Sequence, residues 1–403
     1  MTGPNDDGPQ PAEAVHTVVV GAGVGGLAVT RMLLRAGKGV VTLDENAELG
    51  HSWRVRHDSL RLNSVRWLSD MPGLRLPRRY GRWVGKDDMA DYVAEYGREV
   101  GDAVRTGVRV LRIDRAEAGA AGRWRVATSK GELLARHVVL ATGFYREGLL
   151  PAWPGAETYR GRLLHSSGYR RPSEFEGRSV VVVGPGVSGV DIAVDLLSRA
   201  AGTLTVSVRT PPNFLPRELY GLPLQALSVT NRYAPSPFLD TVGRLVQRLA
   251  VGDLADTPLG ASPEGMFTRL RRTGVNPAVD DGDFVPAVRD GRVTVIPAVV
   301  GLYEDGVIAA DGSRTPADAV IAATGYGTGL DPLVGHLGAV DGRGHPVQYG
   351  AGSRRWAEQG LHFVGYSSPL TGHLREVGIL ARRAARRIAR DPAPATGKVP
   401  VAG

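Results

Sequence analysis

The chain contains no cysteine. That absence excludes structural disulfides, thiolate metal sites and dithiol redox relays together. No run of eighteen apolar residues occurs either. The longest apolar stretches, such as Val180–Val183, are strand-sized, so nothing is expected to span a bilayer. The chain does not open with a basic segment leading into an apolar core. Its start, MTGPNDDGPQPAEA, is polar and rich in Pro and Gly, which reads as a flexible tail over residues 1–14 rather than an export signal. A soluble protein in the cytoplasm, without a metal site or membrane partner, is the expectation.

What is present points to two domains. The 403 residues, 42% of them hydrophobic, suffice for two cores joined by a hinge. The net charge of +8 raises the question of a nucleic-acid partner. Its arginines, however, are spread along the sequence apart from clusters such as RRAARRIAR (382–390), and no recognition fold accompanies them. Solvated helix faces and anionic cofactors account for the charge more simply.

The sequence repeats itself. HTVVVGAGVGGLAVTRMLLRAG (16–37) returns in altered form as RSVVVVGPGVSGVDIAVDLLSRA (178–200), and each copy runs from a β-branched strand through a glycine-rich turn into a helical period. Each is followed by a second matched piece, VVLATGF (138–144) and AVIAATGY (319–326), preceded by short strand patterns that suggest a small β-meander in each unit. The fold class that follows is α/β, with two Rossmann-like dinucleotide-binding domains and a helical insertion. The first domain is expected over 15–172 and 327–390, because the strand pattern at 360–368 and the amphipathic stretch at 378–390 return to complete it. The second is expected over 173–326, with a proline-punctuated insertion of short helices at 211–288 on the substrate side. Residues 391–403 read as a second flexible tail.

In the first motif Gly21 permits a tight turn, Gly23 lets the backbone approach a pyrophosphate, and Gly26 allows helix and strand to pack closely. The next strand ends VVTLDEN, which places Asp44 or Glu45 near the ribose hydroxyls, Asp44 being preferred. The second motif carries Gly184, Gly186, Ser188 and Gly189, and its second strand ends with Arg209 where the first site has a carboxylate. A guanidinium can bind a ribose 2′-phosphate that a carboxylate would repel, so this site should prefer NADP over NAD. Val110, Gly143 and Thr324 complete the cofactor-binding candidates of the two units. Two nucleotide sites fit disulfide reductases, ferredoxin reductases and monooxygenases alike, and the missing cysteine removes the first group.

Between the two units, YRGRLLHSSGY (159–169) carries Tyr159, Gly161, His165 and Tyr169, a spacing that resembles the signature of flavin-containing monooxygenases. GHSWRVRHDSLRLNSVRWLSDMPGLRLP (50–77), AATGY (322–326), RTPPNFLPRELYG (209–221) and GDLADTPLGASPEG (252–265) resemble the same family, the last two its YUCCA branch. Tyr159, Val187 and His51 depart from the family's usual residues, and Tyr169 in place of Trp leans away from the Baeyer-Villiger subgroup. The resemblance spans nearly all of residues 15–390. It implies FAD at the first site and NADPH at the second, and oxygen transfer from dioxygen through a flavin hydroperoxide. Trp53 is implied beside the flavin, Asn63 near the peroxide as the catalytic candidate, and His165 and Tyr169 at the crossing between domains. An amine, a thioether or a 2-oxo acid is the implied substrate. A Baeyer-Villiger enzyme, in which Arg66 would steady the peroxide anion, and a non-catalytic redox sensor are the alternatives. Substrate identity is placed in 211–288 and 366–376; the oligomeric state is unreadable, a homodimer being one option.

Overall fold

The computed structural model describes residues 12–198, 202–230, 234–347 and 354–391, without the side chains of 230 and 354. From the N-terminus the chain forms β1 (Glu13–Val20), α1 (Val24–Arg35), β2 (Val40–Leu43), α2 (His51–Arg54), α3 (Lys86–Arg98), β3 (Val104–Arg105), β4 (Val110–Arg115), β5 (Trp124–Thr128) and the ten-residue β6 (Gly131–Leu140). Two-residue β7 (Glu147–Gly148) and β8 (Arg162–His165) lead to β9 (Ser179–Val183), α4 (Val187–Leu197) and β10 (Thr203–Ser207).

The insertion holds β11 (Phe214–Leu215), the hairpin of β12 (Glu218–Leu219) and β13 (Leu222–Pro223), α5 (Leu224–Thr230), α6 (Ser236–Val251), α7 (Met266–Thr273), β14 (Ala278–Val279) and α8 (Phe284–Arg289). Then follow β15 (Thr294–Ile296), β16 (Val299–Tyr303), β17 (Gly306–Ala309), β18 (Arg314–Pro316), β19 (Ala319–Ala322), β20 (Tyr326–Gly327), α9 (Asp331–Val334), α10 (Arg354–Glu358), β21 (Leu361–Phe363) and α11 (His373–Arg390).

Two parallel sheets organise these elements. The first runs β3-β2-β1-β6-β21, and the second β15-β10-β9-β19-β8. The buried runs of the central strands, residues 18–20, 138–140 and 180–183, are apolar at every position because both faces are covered. Val19 and Val139 enter a core with α1 and α11, while Val18, Val20, Val138 and Leu140 face the meander core on the other side. The second sheet repeats the alternation, with Val180 and Val182 in one core and Val181 and Val183 in the other.

The two meanders differ. In the first unit β6 does double service: one edge pairs in parallel with β1 from Leu133 to Leu140, while the other pairs antiparallel with β5 over its early half and parallel with β21 over its late half. In the second, VTVIPAVVGLY is cut at Pro297, which has no N–H to give a ladder. The piece before it, β15, enters the parallel sheet, and β16 begins a separate β16-β17-β18 sheet.

The expected boundaries shift at four places. Glu13 and Ala14, assigned to the N-terminal tail, stand in β1 opposite Leu133 and Leu134. Residues 162–165, assigned to the first domain, form the edge strand of the second sheet beside β19. The insertion is less uniformly made of short helices than its prolines suggest: α6 is sixteen residues long, and β11 pairs in parallel with β14. Asp391, assigned to the C-terminal tail, is anchored by His137, Arg123 and Arg136. Residues 1–11 and 392–403, the rest of both tails, lie outside the described residues.

That anchor sits among neighbouring histidines, His16, His137 and His362, whose rings are tilted against one another. His137 Nε2 donates to Asp391 Oδ2 at 2.9 Å, and His362 Nε2 lies 3.3 Å from His137 Nδ1, an arrangement that two neutral rings satisfy. Burial pushes His137 down to about 4 and His362 to about 3. Both folded values lie below the unfolded value near 6.5, so their contribution is complete above pH 6.5 and drains away as the unfolded chain takes up protons below it. The expected loss is on the order of 2–4 kcal/mol between pH 7 and pH 5. Urea midpoints measured at the two pH values check this; a flat profile would mean that the rings are charged in the native state.

Candidate active site

Both glycine turns are built alike. Gly21 N–H donates to Leu43 O at 2.7 Å and Gly184 N–H to Ser207 O at 3.0 Å, which locks each turn against the neighbouring strand. A Cβ on Gly26 would lie 1.8 Å from Gly21 O, and one on Gly189 would lie 1.9 Å from Gly184 O. By contrast, nothing lies within 4 Å of a Cβ placed on Gly23 or Gly186, the first residues before α1 and α4. Each turn therefore closes on its own strand and opens at its helix N-terminus, where backbone N–H groups and the helix dipole favour phosphate. Two dinucleotides fit these cradles.

One cavity of about 660 Å³ runs from the first turn to the insertion. Ten of the sequence-predicted residues line it: Gly21, Gly23, Asp44, Glu45, Trp53, Asn63, Val110, Gly143, Tyr169 and Ser188. Asp44 closes the first turn, its Oδ2 accepting from Ala22 N–H at 2.7 Å and its Oδ1 from Asn46 N–H at 2.9 Å. Glu45 is held by two guanidiniums, Arg109 Nε and Arg146 Nη2, each at 3.0 Å. Tyr169 stacks on Phe175 and donates its hydroxyl to Asp195 at 2.7 Å, and burial pushes the phenol well above its ordinary range.

Seven predicted residues do not reach the cavity: Gly26, His165, Gly184, Gly186, Gly189, Arg209 and Thr324. Gly26 and Gly189 act as packing positions behind the turns. His165 ends β8; Ser167 N–H donates to its Nδ1 at 3.1 Å, so Nε2 carries the proton and donates to Gly325 O at 3.0 Å. Burial lowers its pKa and keeps the ring neutral. It thereby fastens β8 to the second ATG turn, where Thr324 donates to Leu149 O and β20 pairs with β7. Arg209 is exposed and makes no hydrogen bond or ion pair among the described residues. Arg66 is spent on Gly81 O and Leu76 O, both at 3.0 Å, and does not line the cavity.

Sequence reasoning missed several lining residues. Arg56 enters from the loop after α2, donating to Tyr326 Oη at 3.3 Å and Tyr145 O at 3.4 Å, without an ion pair among the described residues. Arg217 enters from the insertion and donates through Nε to Asn63 Oδ1 at 3.0 Å. Its place in LPRE, inside a block already noted, was the available signal. Asp191 on α4 faces the same cavity, and burial raises its carboxyl to about 7 even though Arg217 opposes the shift. Gln225, almost fully buried, accepts from Val65 N–H at 2.7 Å and donates to Thr371 O at 2.9 Å, clamping three distant segments over the site. Both segments expected to carry substrate identity contribute lining residues, among them Leu215, Leu224, Val279, Ser368 and Leu370. Among the described residues no cluster could hold a metal ion, and no helix is long and apolar enough to cross a membrane.

Comparison with known proteins agrees with this geometry. The model of the flavin-binding monooxygenase-like family matches residues 14–335. Indole-3-pyruvate monooxygenase YUCCA1 of Oryza sativa subsp. japonica is 32% identical over 312 residues, covering 77% of this chain and 76% of that protein. Among solved structures, a flavin-containing monooxygenase from Stenotrophomonas maltophilia matches with a TM-score of 0.68 at 26% identity, covering 93% of this chain and 99% of the other. An oxidized steroid monooxygenase bound to NADP matches with a TM-score of 0.70 over 94% and 86% of the two chains; at 17% identity it shows the fold alone. Two dinucleotide cradles on paired α/β sheets, joined to these matches, make the chain a member of the flavin-binding monooxygenase-like family, an enzyme that takes FAD and NADPH as cofactors.

Proposed function

We propose that this enzyme oxidatively decarboxylates a 2-oxo acid with an apolar side chain. Per turnover, the 2-oxo acid, dioxygen, NADPH and a proton give the carboxylic acid one carbon shorter, carbon dioxide, water and NADP. One dioxygen atom enters the acid and the other leaves as water.

The observation that carries this reading is Arg56, a cavity guanidinium whose hydrogen-bond partners among the described residues are all neutral, Ser52 O at 3.1 Å, Tyr326 Oη at 3.3 Å and Tyr145 O at 3.4 Å, set in the same cavity as the apolar side chains of Leu62, Leu215, Val279 and Leu370. A cation without a counter-ion beside an apolar wall suits a substrate with a carboxylate at one end. The name of the relative, indole-3-pyruvate monooxygenase, supports the same class. FAD reduced by NADPH supplies the oxygen chemistry at this site. The first turn and Asp44 hold the adenosine half, Arg209 takes the 2′-phosphate at the second site, and Asn63 offers amide N–H groups where negative charge develops. Trp53, Tyr145 and Tyr326 restrict water.

Purified holoenzyme given NADPH and isotopically labelled dioxygen should yield labelled acid and an equal amount of carbon dioxide from a 2-oxo acid. A labelled ester from a ketone, or a labelled N-oxide or S-oxide, would transfer the assignment to those substrates. NADPH oxidation yielding hydrogen peroxide alone across the panel would remove the oxygenase reading. Asn63→Ala is expected to raise peroxide released per NADPH about tenfold or more, the scale of losing one preorganised donor. Unchanged coupling would make Asn63 a structural residue.

A further inference from the structure

Arg217 stands where three parts of the fold meet. It follows β11 in the insertion, its Nε–H reaches Asn63 in the first domain at 3.0 Å, and it lines the cavity together with Asp191 of the second domain. Its own backbone N–H donates to Asp281 Oδ1 at 2.7 Å, and its Nη1 pairs with Asp281 Oδ2. Main chain and side chain are thus fixed by one carboxylate, which leaves the guanidinium plane little freedom.

The chemistry of this contact decides the orientation of the amide. A guanidinium has donors only, so the edge of Asn63 that faces it must be Oδ1. The Nδ2 group of Asn63 makes no protein hydrogen bond among the described residues and stays available to the cavity. Without Arg217 nothing in the contact set distinguishes the two amide orientations, and rotation of the side chain would present an acceptor where negative charge has to be stabilised.

We propose that Arg217 is a positioning residue for Asn63: clamped by Asp281, it occupies the amide oxygen and keeps both amide N–H groups directed into the cavity. The inference rests on the oxygenase reading of Asn63 given above. It makes the insertion part of the reactive centre as well as its substrate wall, since closure of β11 and β14 around Asp281 sets the amide.

The test compares Arg217→Met, Arg217→Lys, Asn63→Ala and the Arg217→Met/Asn63→Ala double variant as holoenzymes, with Arg244→Ala on the exposed face of α6 as a distant control. Peroxide released per NADPH should rise by the same factor, about tenfold or more, in Arg217→Met and Asn63→Ala, with no further rise in the double variant, because both remove one unit. Arg217→Lys should resemble Arg217→Met, since it keeps the charge but loses the Nε–H fork. In the resting oxidised enzyme, without turnover, the flavin absorption spectrum should shift alike in Arg217→Met and Asn63→Ala and stay put in Arg244→Ala. A crystal structure of Arg217→Met should show the Asn63 amide turned.

Wild-type coupling and spectrum in Arg217→Met, or additive effects in the double variant, would overturn the proposal. Should Arg217→Met fail to fold, Asp281→Asn carries the test: a smaller shift of the same sign supports positioning, and wild-type behaviour overturns it. If the parent enzyme never oxygenates a substrate, the oxygenase reading fails while the spectral comparison still decides whether Arg217 orients Asn63.

Discussion

Gly26→Ala is expected to abolish flavin binding, and Gly189→Ala to leave the flavin in place while abolishing its reduction by NADPH. The two substitutions add the same methyl group at equivalent points of the two turns. In each the new Cβ would lie under 2 Å from a carbonyl oxygen of its own motif, Gly21 O or Gly184 O, which are fixed by hydrogen bonds from their turns to the next strand. Neither obstacle is a flexible side chain, so the helix must withdraw from the strand. Overpacking costs about 1–3 kcal/mol, at the upper end where the obstacle is backbone, and displaces the helix N-terminus from the phosphates it should face. Visible flavin absorbance of the purified variants, followed by anaerobic NADPH titration, separates the outcomes. A Gly26→Ala protein with a full complement of FAD would show that the first turn tolerates the shift. Loss of flavin from Gly189→Ala would show that the two units do not fold independently.

Arg209→Ala should raise the KM for NADPH by about ten- to a hundredfold and leave that for NADH unchanged. The arginine is exposed and without a protein partner among the described residues, so its removal breaks no internal contact. On its proposed role, what the substitution removes is a charge-assisted hydrogen bond to the 2′-phosphate, worth about 1.5–3 kcal/mol, and each 1.4 kcal/mol is tenfold. Since the interaction is solvent-exposed, the preference for NADPH in the parent enzyme should also shrink at high salt. Steady-state kinetics with both cofactors at two ionic strengths checks both statements. Equal losses with NADPH and NADH would detach Arg209 from the phosphate.

The parts of this molecule legible in its sequence are those set by local rules. Strand, glycine turn and helix recur at 16–37 and 178–200 because close packing demands glycine at defined spacings, and the structure shows which carbonyl makes each demand. Asp44 was legible for the same reason, being the first residue after a short buried strand. What escaped was decided by contacts between distant segments. The four residues of β8 carry no mark of which sheet they join; register with Ala319–Ala322 settles it. Arg56 and Arg66 sit in similar surroundings in the sequence, yet one lines the cavity and the other is consumed by the carbonyls of Gly81 and Leu76. Gln225 looks like any polar residue at the start of a short helix until Val65 and Thr371 close on it. The family resemblance pointed to Asn63, but no pattern of period or composition could have supplied its partner, Arg217.

The first sheet closes on β21, and α1 is covered by α11, so the glycine motif before α1 waits for a helix more than 300 residues later. The second sheet needs nothing beyond residue 322. During synthesis, therefore, the second unit can finish while the first still lacks a strand, a helix and the cavity wall formed by Val364, Leu374 and Val377. Flavin capture is therefore expected late in the life of the nascent chain, once α11 has been made and has closed over α1.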